Sequence, residues 1–264
     1  MKIEKIRLAV GLERPVRIAH LTDIHLCLAD ERDAHLIDHA KERAQVFYEE
    51  AACPPKTPSE YFREAMAYAE EACDLSVITG DVLDFVSHKN REEAESILRG
   101  KNYLFTAGNH EFCPRVGVPD SFARKADLFG EIQSSFAGDM FFESRVVGGV
   151  NLVTIDNSYY NYSALQIKLL EREIEKGLPI VLFSHVPLSE PILKLERHHK
   201  DLGPDTYMME QNRKMYALIA SADRIVASFA GHWHGFAALT MPWGLREYVT
   251  PGLFKGAFTE IELV

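Results

Sequence analysis

Five short apolar runs along this chain each end in a polar cluster, and that recurrence constrains the fold more than any other feature. Val16–Leu21 runs into Asp23-x-His25, Leu75–Thr79 into Gly80-Asp81-Val82-Leu83-Asp84, and Tyr103–Thr106 into Gly108-Asn109-His110-Glu111. Ile180–Phe183 precedes Ser184-His185-Val186-Pro187, and Ile225–Phe229 precedes Gly231-His232-Trp233-His234. Short β-branched and apolar runs bounded by glycine and polar residues read as buried strands. Polar groups gathered at the carboxyl ends of several strands are what a layered α/β fold offers a binding site.

Helical periodicity fills the intervals. From about Ser59 to Ala72, Tyr61, Phe62, Ala65, Met66 and Ala69 share one stripe behind Pro58 and a Ser59 cap. Ser163 to Lys176 carries Leu165, Ile167, Leu169, Leu170 and Ile174 and ends well at Gly177 and Pro179. Phe141–Val147 and Val150–Asp156 read as a hairpin across Gly148-Gly149, and Phe236–Thr240 with Leu245–Thr250 as another across Pro242-Trp243-Gly244. The expected fold class is α/β, in one domain spanning residues 1–264. Segments near 30–58 and 188–215 read as insertions, which either overhang a site or decorate the surface.

The polar clusters share a chemistry. Asp23 and His25, two apart at a strand end, project to one side, and His232 and His234 repeat the spacing with Trp233 facing the other way into packing. Asp81, in a glycine-preceded turn, suits a carboxylate shared by two cations; Asn109 adds a neutral carbonyl oxygen and His185 a further imidazole. These seven groups suit two divalent ions, with His110 left for chemistry. Nitrogen and oxygen donors without thiolate favour Mn, Fe, Zn or Ni. Two adjacent cations can clamp the attacking and leaving oxygens of an in-line displacement at phosphorus. Each motif alone has a structural explanation, as a turn or a packed histidine. All five in order are hard to explain as packing, because isolated buried polar groups are costly.

Composition narrows the partners. The formal charge of −10 argues against long nucleic-acid tracks, which need clustered Lys and Arg. Cys27, Cys53, Cys73 and Cys113 form no CxxC pair and read as buried thiols in a reducing compartment. The N-terminal residues alternate charged and apolar types, and no apolar stretch is long enough to span a membrane, so a cytoplasmic protein is expected.

The ordered set Asp-x-His, Gly-Asp-x-x-Asp, Gly-Asn-His-Glu, His and Gly-His-x-His, covering Asp23 to His234, resembles the calcineurin-like metallophosphoesterase superfamily. The resemblance implies a four-layer α/β/β/α sandwich with two mixed β-sheets flanked by helices. It implies Asp23, His25 and His234 on a first metal, Asn109, His185 and His232 on a second, and Asp81 between them. His110 would act as general acid or charge stabiliser, oriented by a hydrogen bond to Asp84, with a hydroxide held by both ions as nucleophile. The arginine that protein Ser/Thr phosphatases carry after the second aspartate is here Phe85, the tyrosine ligand of purple acid phosphatases is missing, and Glu111 follows the Asn-His pair where many nucleases of the group have aspartate.

The expectation is hydrolysis of a phosphomonoester or small phosphodiester substrate, with no membrane partner and the oligomeric state open. A metal-dependent nuclease, a noncatalytic scaffold and a mononuclear hydrolase are the alternatives; the complete ligand set disfavours the last two. Asp156 to Tyr160 either forms a substrate rim or packs, His198-His199 reads as solvated rather than as a third metal site, and His35 with His39 matches no zincin pattern.

Overall fold

The computed structural model of the protein describes residues 1–52, 54–189 and 206–264. Among the described residues, eleven strands form two sheets. In the first, β1 (Lys2–Leu8), β11 (Ala257–Leu263), β2 (Val16–Leu21), β3 (Leu75–Thr79) and β4 (Tyr103–Thr106) lie in that order, with only β11 and β2 antiparallel. In the second the order is β5 (Phe142–Val147), β6 (Val150–Ile155), β7 (Ile180–Phe183), β8 (Ile225–Ala230), β10 (Arg246–Val249) and β9 (Ala237–Thr240). Its two antiparallel pairs, β5 with β6 and β10 with β9, are the expected hairpins.

Period-two alternation sorts the strand residues. Val16, Ile18, Val77 and Leu104 meet Leu152, Val181, Phe183, Ala227, Phe229 and Tyr248 between the sheets. Ala19, Leu21, Ile78 and Phe105 turn outward to α2 (Pro58–Ala72), α3 (His88–Leu98) and α4 (Phe122–Gln133). The far face of the second sheet packs on α5 (Ala164–Glu175) and α6 (Thr206–Ser221) through Leu170, Met215 and Ile219. The result is the four-layer sandwich. Phe229 sits at its centre, its ring 5.5 Å from Phe183 and 5.0 Å from Tyr248. Truncating it to alanine is expected to cost about 3–5 kcal/mol.

Local sequence explains the helix ends. Thr57, not Ser59, caps α2, because Glu60 completes a capping box with it and Pro58 fits the first helical position. Ser163 and Gln166 form the same box on α5. Tyr61, Phe62, Ala65, Met66 and Ala69 bury their side chains as the stripe required, whereas Leu165 lies 56% exposed, off the packed face of α5.

The 30–58 segment is a 3-10 turn (Glu31–Leu36) and α1 (Ile37–Glu50), which docks Leu36, Ala40 and Phe47 against Cys27, Phe85 and Phe254. Most of the second insertion, His198 and His199 included, lies outside the described residues, as does Cys53. Cys27 and Cys113 are buried and Cys73 only half-buried, all three as free thiols. Among the described residues no helix is long and apolar enough to cross a membrane.

Candidate metal centre

β2, β3 and β4 run parallel and so release the first three polar motifs at one end of their sheet; β7 and β8 release His185 and the Gly231 loop at one end of theirs. The loops after β2 and β3 zip together through Asp23 N to Gly80 O (3.1 Å), Ile24 N to Asp81 O (2.8 Å) and Leu26 N to Val82 O (2.8 Å). Two bonds then cross between the sheets: His232 N donates to Asp23 Oδ2 (3.0 Å) and His185 Nδ1 to Thr79 O (2.7 Å). The strand ends of both sheets thereby meet at one place.

Backbone strain is concentrated there. Asp23, His25, Asp81, His232 and His234 all have left-handed φ, between 51° and 69°, and Tyr160 at 60° is the only other non-glycine case among the described residues. Such conformations cost on the order of 1–3 kcal/mol each and persist where surrounding contacts over-determine them. Close packing explains two glycines: a Cβ on Gly108 would collide with Asp81 Oδ1, and one on Gly231 with Thr22 Oγ1.

The side chains converge in two clusters that share one carboxylate. Asp23, His25, Asp81 and His234 form the first, and Asp81, His185 and His232 the second, with ligand atoms within 4.8 Å of one another in each. In the first, His234 Nε2 lies 3.2 Å from Asp23 Oδ1 and 3.2 Å from His25 Nε2. In the second, His185 Nε2 lies 3.3 Å from Asp81 Oδ2, 3.2 Å from Asn109 Oδ1 and 3.2 Å from His232 Nδ1. Asp81 Oδ2 also stands 3.8 Å from His25 Nε2, so the same oxygen faces both clusters.

These separations fit a cation in each cluster. Neighbouring donors about 2.1 Å from a common ion stand about 3.0–3.4 Å apart, as most of these do, while His25 Nε2 stands wider, 3.8 Å from Asp81 Oδ2 and 3.9 Å from Asp23 Oδ1. Asp23 supplies independent evidence. Its Oδ2 takes hydrogen bonds from Thr22 Oγ1 (2.9 Å) and His232 N, while buried Oδ1 faces only imidazole nitrogens, His234 Nε2 at 3.2 Å and His25 Nε2 at 3.9 Å. A buried carboxylate oxygen facing imidazole nitrogens is costly unless a proton or a cation lies between them.

The electrostatics agree. Burial raises the pKa of Asp81, but His185 and His110 more than offset that and hold it well below the usual carboxylate range. Burial opposes charge on His185, yet Asp81 and Asp23 raise its pKa to about 10. Metal-free, the cluster therefore holds protons where divalent ions would bind, so metal and protons compete for it.

His110 stands at the edge, its Nδ1 donating to the main-chain carbonyl of Asp84 at 2.7 Å. The expected hydrogen bond to Asp84 thus runs through its main chain, with carboxylate Oδ1 3.6 Å away. That carboxylate instead accepts from His25 Nδ1 (3.0 Å) and takes a two-pronged contact from Arg43 at 2.7 and 3.0 Å. Against burial, the carboxylates of Asp81 and Asp84 still raise the pKa of His110, favouring the imidazolium. His25, Asp84 and His110 also group closely enough to suggest a third cation, but Arg43 already occupies both oxygens of Asp84.

Four supporting residues had no supporting role assigned by the motif pattern. Arg43 and Phe47, one turn apart on α1, brace the first cluster; Phe47 stacks on His25 with ring centroids 5.1 Å apart. Glu111, whose purpose the motif left open, accepts four backbone N–H bonds from Asp81, Val82, Leu83 and Gly108 at 2.6–3.1 Å. It clasps the Asp81 turn, and burial and the Asp81 charge raise its pKa to about 7. Tyr160 places its hydroxyl 2.7 Å from His232 Nε2, whereas Tyr159 is buried in the core, where the packing reading of that loop holds.

The expected packing of Trp233 fails, and the Phe85 position departs from the protein phosphatase pattern as the sequence indicated. Trp233 is 39% exposed rather than packed inward, because flanking residues with left-handed φ break strand alternation. Phe85 is fully buried beside Phe47 and Phe254, so the position that holds a phosphate-binding arginine in protein phosphatases is here a core position.

Solved structures share this architecture. A dimetal phosphatase from Danio rerio superimposes with a TM-score of 0.53 at 13% identity, over 91% of this chain and 88% of that one. A purple acid phosphatase from yellow lupin (Lupinus luteus) seeds gives 0.56 at 12% identity over 90% of this chain, which spans only 44% of that one. At such identities the likeness establishes the fold alone. A comparison with curated protein sequences finds no match. A family profile described as calcineurin-like phosphoesterase matches residues 16–236, most of the chain and every motif in the two clusters. The chain belongs to the calcineurin-like phosphoesterase family.

Proposed function

We propose that the protein is a metal-dependent phosphoesterase that hydrolyses a phosphomonoester or a small phosphodiester with two divalent cations. Asp23, His25 and His234 would hold the first ion, Asn109, His185 and His232 the second, and Asp81 would serve both. The observation that carries this reading is the single oxygen Asp81 Oδ2 facing imidazoles of both clusters. When bound, two such ions supply Lewis-acid charge that makes water nucleophilic near neutral pH and takes up charge on phosphoryl oxygens.

The chain's own residues do the rest. Glu111 and the zipped β2 and β3 loops hold Asp81 in place. His110 is tethered through Nδ1 to the Asp84 carbonyl, which leaves Nε2 as the nitrogen that gives a proton to the leaving oxygen or pairs with phosphoryl charge. Arg43 neutralises Asp84, whose carboxylate fixes the proton of His25 on Nδ1 and leaves Nε2 for the cation. The acidic charge of −10 favours small substrates over nucleic-acid strands.

The test is a hydrolysis panel after reconstitution with Mn, Fe, Zn or Ni, comparing aryl phosphomonoesters, aryl phosphodiesters, cyclic nucleotides and nucleic acids. Turnover of an aryl ester, lost on chelation and restored by metal, is expected. A metal-loaded preparation inert toward every ester would overturn the proposal.

A further inference from the structure

Tyr160 belongs to none of the ligand motifs, yet its position is strongly built. It holds a left-handed φ of 60°, unusual for a large side chain. Asn212 of α6 donates to its carbonyl (2.9 Å) and accepts from Tyr162 N (2.9 Å). Asn157 accepts from Val186 N (2.9 Å) and donates to Val186 O (2.7 Å), which ties the Tyr160 loop to the residue following His185. Both asparagines are buried. Their combined effect is to hold the Tyr160 hydroxyl 2.7 Å from His232 Nε2, with the rings edge-on at 84°.

His232 turns its other nitrogen, Nδ1, toward His185 Nε2 and hence into the second cluster. A neutral imidazole has one N–H and one lone pair, and only the lone pair can bind a cation. His185 and His25 each commit Nδ1 to an acceptor, Thr79 O and Asp84 Oδ1, and present Nε2. His232 is mounted the other way round, so it needs an acceptor at Nε2. We infer that Tyr160 is a positioning residue for the second cation: its phenolic oxygen accepts the Nε2–H of His232 and so keeps the lone pair on Nδ1, aimed at Asp81, Asn109 and His185. Its functional meaning rests on the dimetal reading, but the tautomer is a property of the metal-free protein.

Two measurements test this. In metal-free protein labelled with 15N-histidine, NMR should find the His232 proton on Nε2 and protected from exchange with water, with the protection lost in Tyr160→Phe. In a Mn2+ titration followed by electron paramagnetic resonance, Tyr160→Phe should weaken the second site by about 10–100-fold and leave the first unchanged. A wild-type His232 protonated on Nδ1 would overturn the inference even if the variant failed to fold. So would a Phe variant that binds both ions as tightly as wild type. A wild-type chain that binds only one Mn2+ would remove the dimetal reading as well, an outcome distinct from failure of Tyr160 alone.

Discussion

The two ligand clusters face one carboxylate but are braced by different chemistry. Behind the first stand a charged clamp and an aromatic stack: Arg43 on Asp84, Asp84 on His25, and Phe47 against the His25 ring. Behind the second stand neutral hydrogen bonds: the Thr79 carbonyl on His185 and the Tyr160 hydroxyl on His232. The first bracing comes from a helix inserted between β2 and β3, the second from core strands and the loop after β6. Buried charge pairs fail badly when one member is removed, whereas a neutral hydrogen bond costs far less to lose. The first site should therefore tolerate substitution in its support less well than the second.

The substitution with the largest expected effect acts on both clusters at once. Asp81→Asn keeps the shape and removes the shared charge; activity should fall by on the order of 1000-fold, with metal content reduced at both sites. Wild-type turnover from that variant would contradict a carboxylate shared by both clusters. His110→Ala should retain both ions yet lower kcat by about 100-fold, more for poor leaving groups than for activated aryl esters. Loss of metal, by elemental analysis, would instead make His110 a ligand.

Arg43→Ala sharpens the comparison. It leaves the fully buried Asp84 carboxylate without its cation, so thermal unfolding should report a loss of about 3 kcal/mol, with the first metal weakened and the second retained. Equal weakening of both would mean that the helix supports the site only globally.

A pH dependence of the metal-free protein is also expected. His185 is raised from 6.5 to about 10 in the metal-free fold, so its stabilising pair with Asp81 is complete below pH 6.5. That contribution is lost as pH rises through about 10. The melting temperature of metal-free protein should fall across that window and that of metal-loaded protein should stay flat, since bound metal takes the place of the proton.

The strands and the seven ligand candidates were legible because each apolar run ended in residues that have few other reasons to recur together. The supports were not. Arg43 meets Asp84 across 41 positions of chain, and nothing local distinguishes it from any other helix-surface arginine. The motif placed Asp84 near the site but could not say which imidazole its carboxylate would choose; His110 takes the main-chain carbonyl and His25 the side chain. Trp233 misled for a related reason, because alternation assumes extended backbone and the flanking histidines have left handed φ instead. Thr57 could have been found from its capping-box partner Glu60.

The central claim is that Asp81 Oδ2 serves two cations at once, and anomalous diffraction from crystals grown with Mn2+ tests it most directly. The account predicts two peaks flanking that oxygen, one toward Asp23, His25 and His234 and the other toward Asn109, His185 and His232. A lone peak, or peaks away from Asp81, would contradict it.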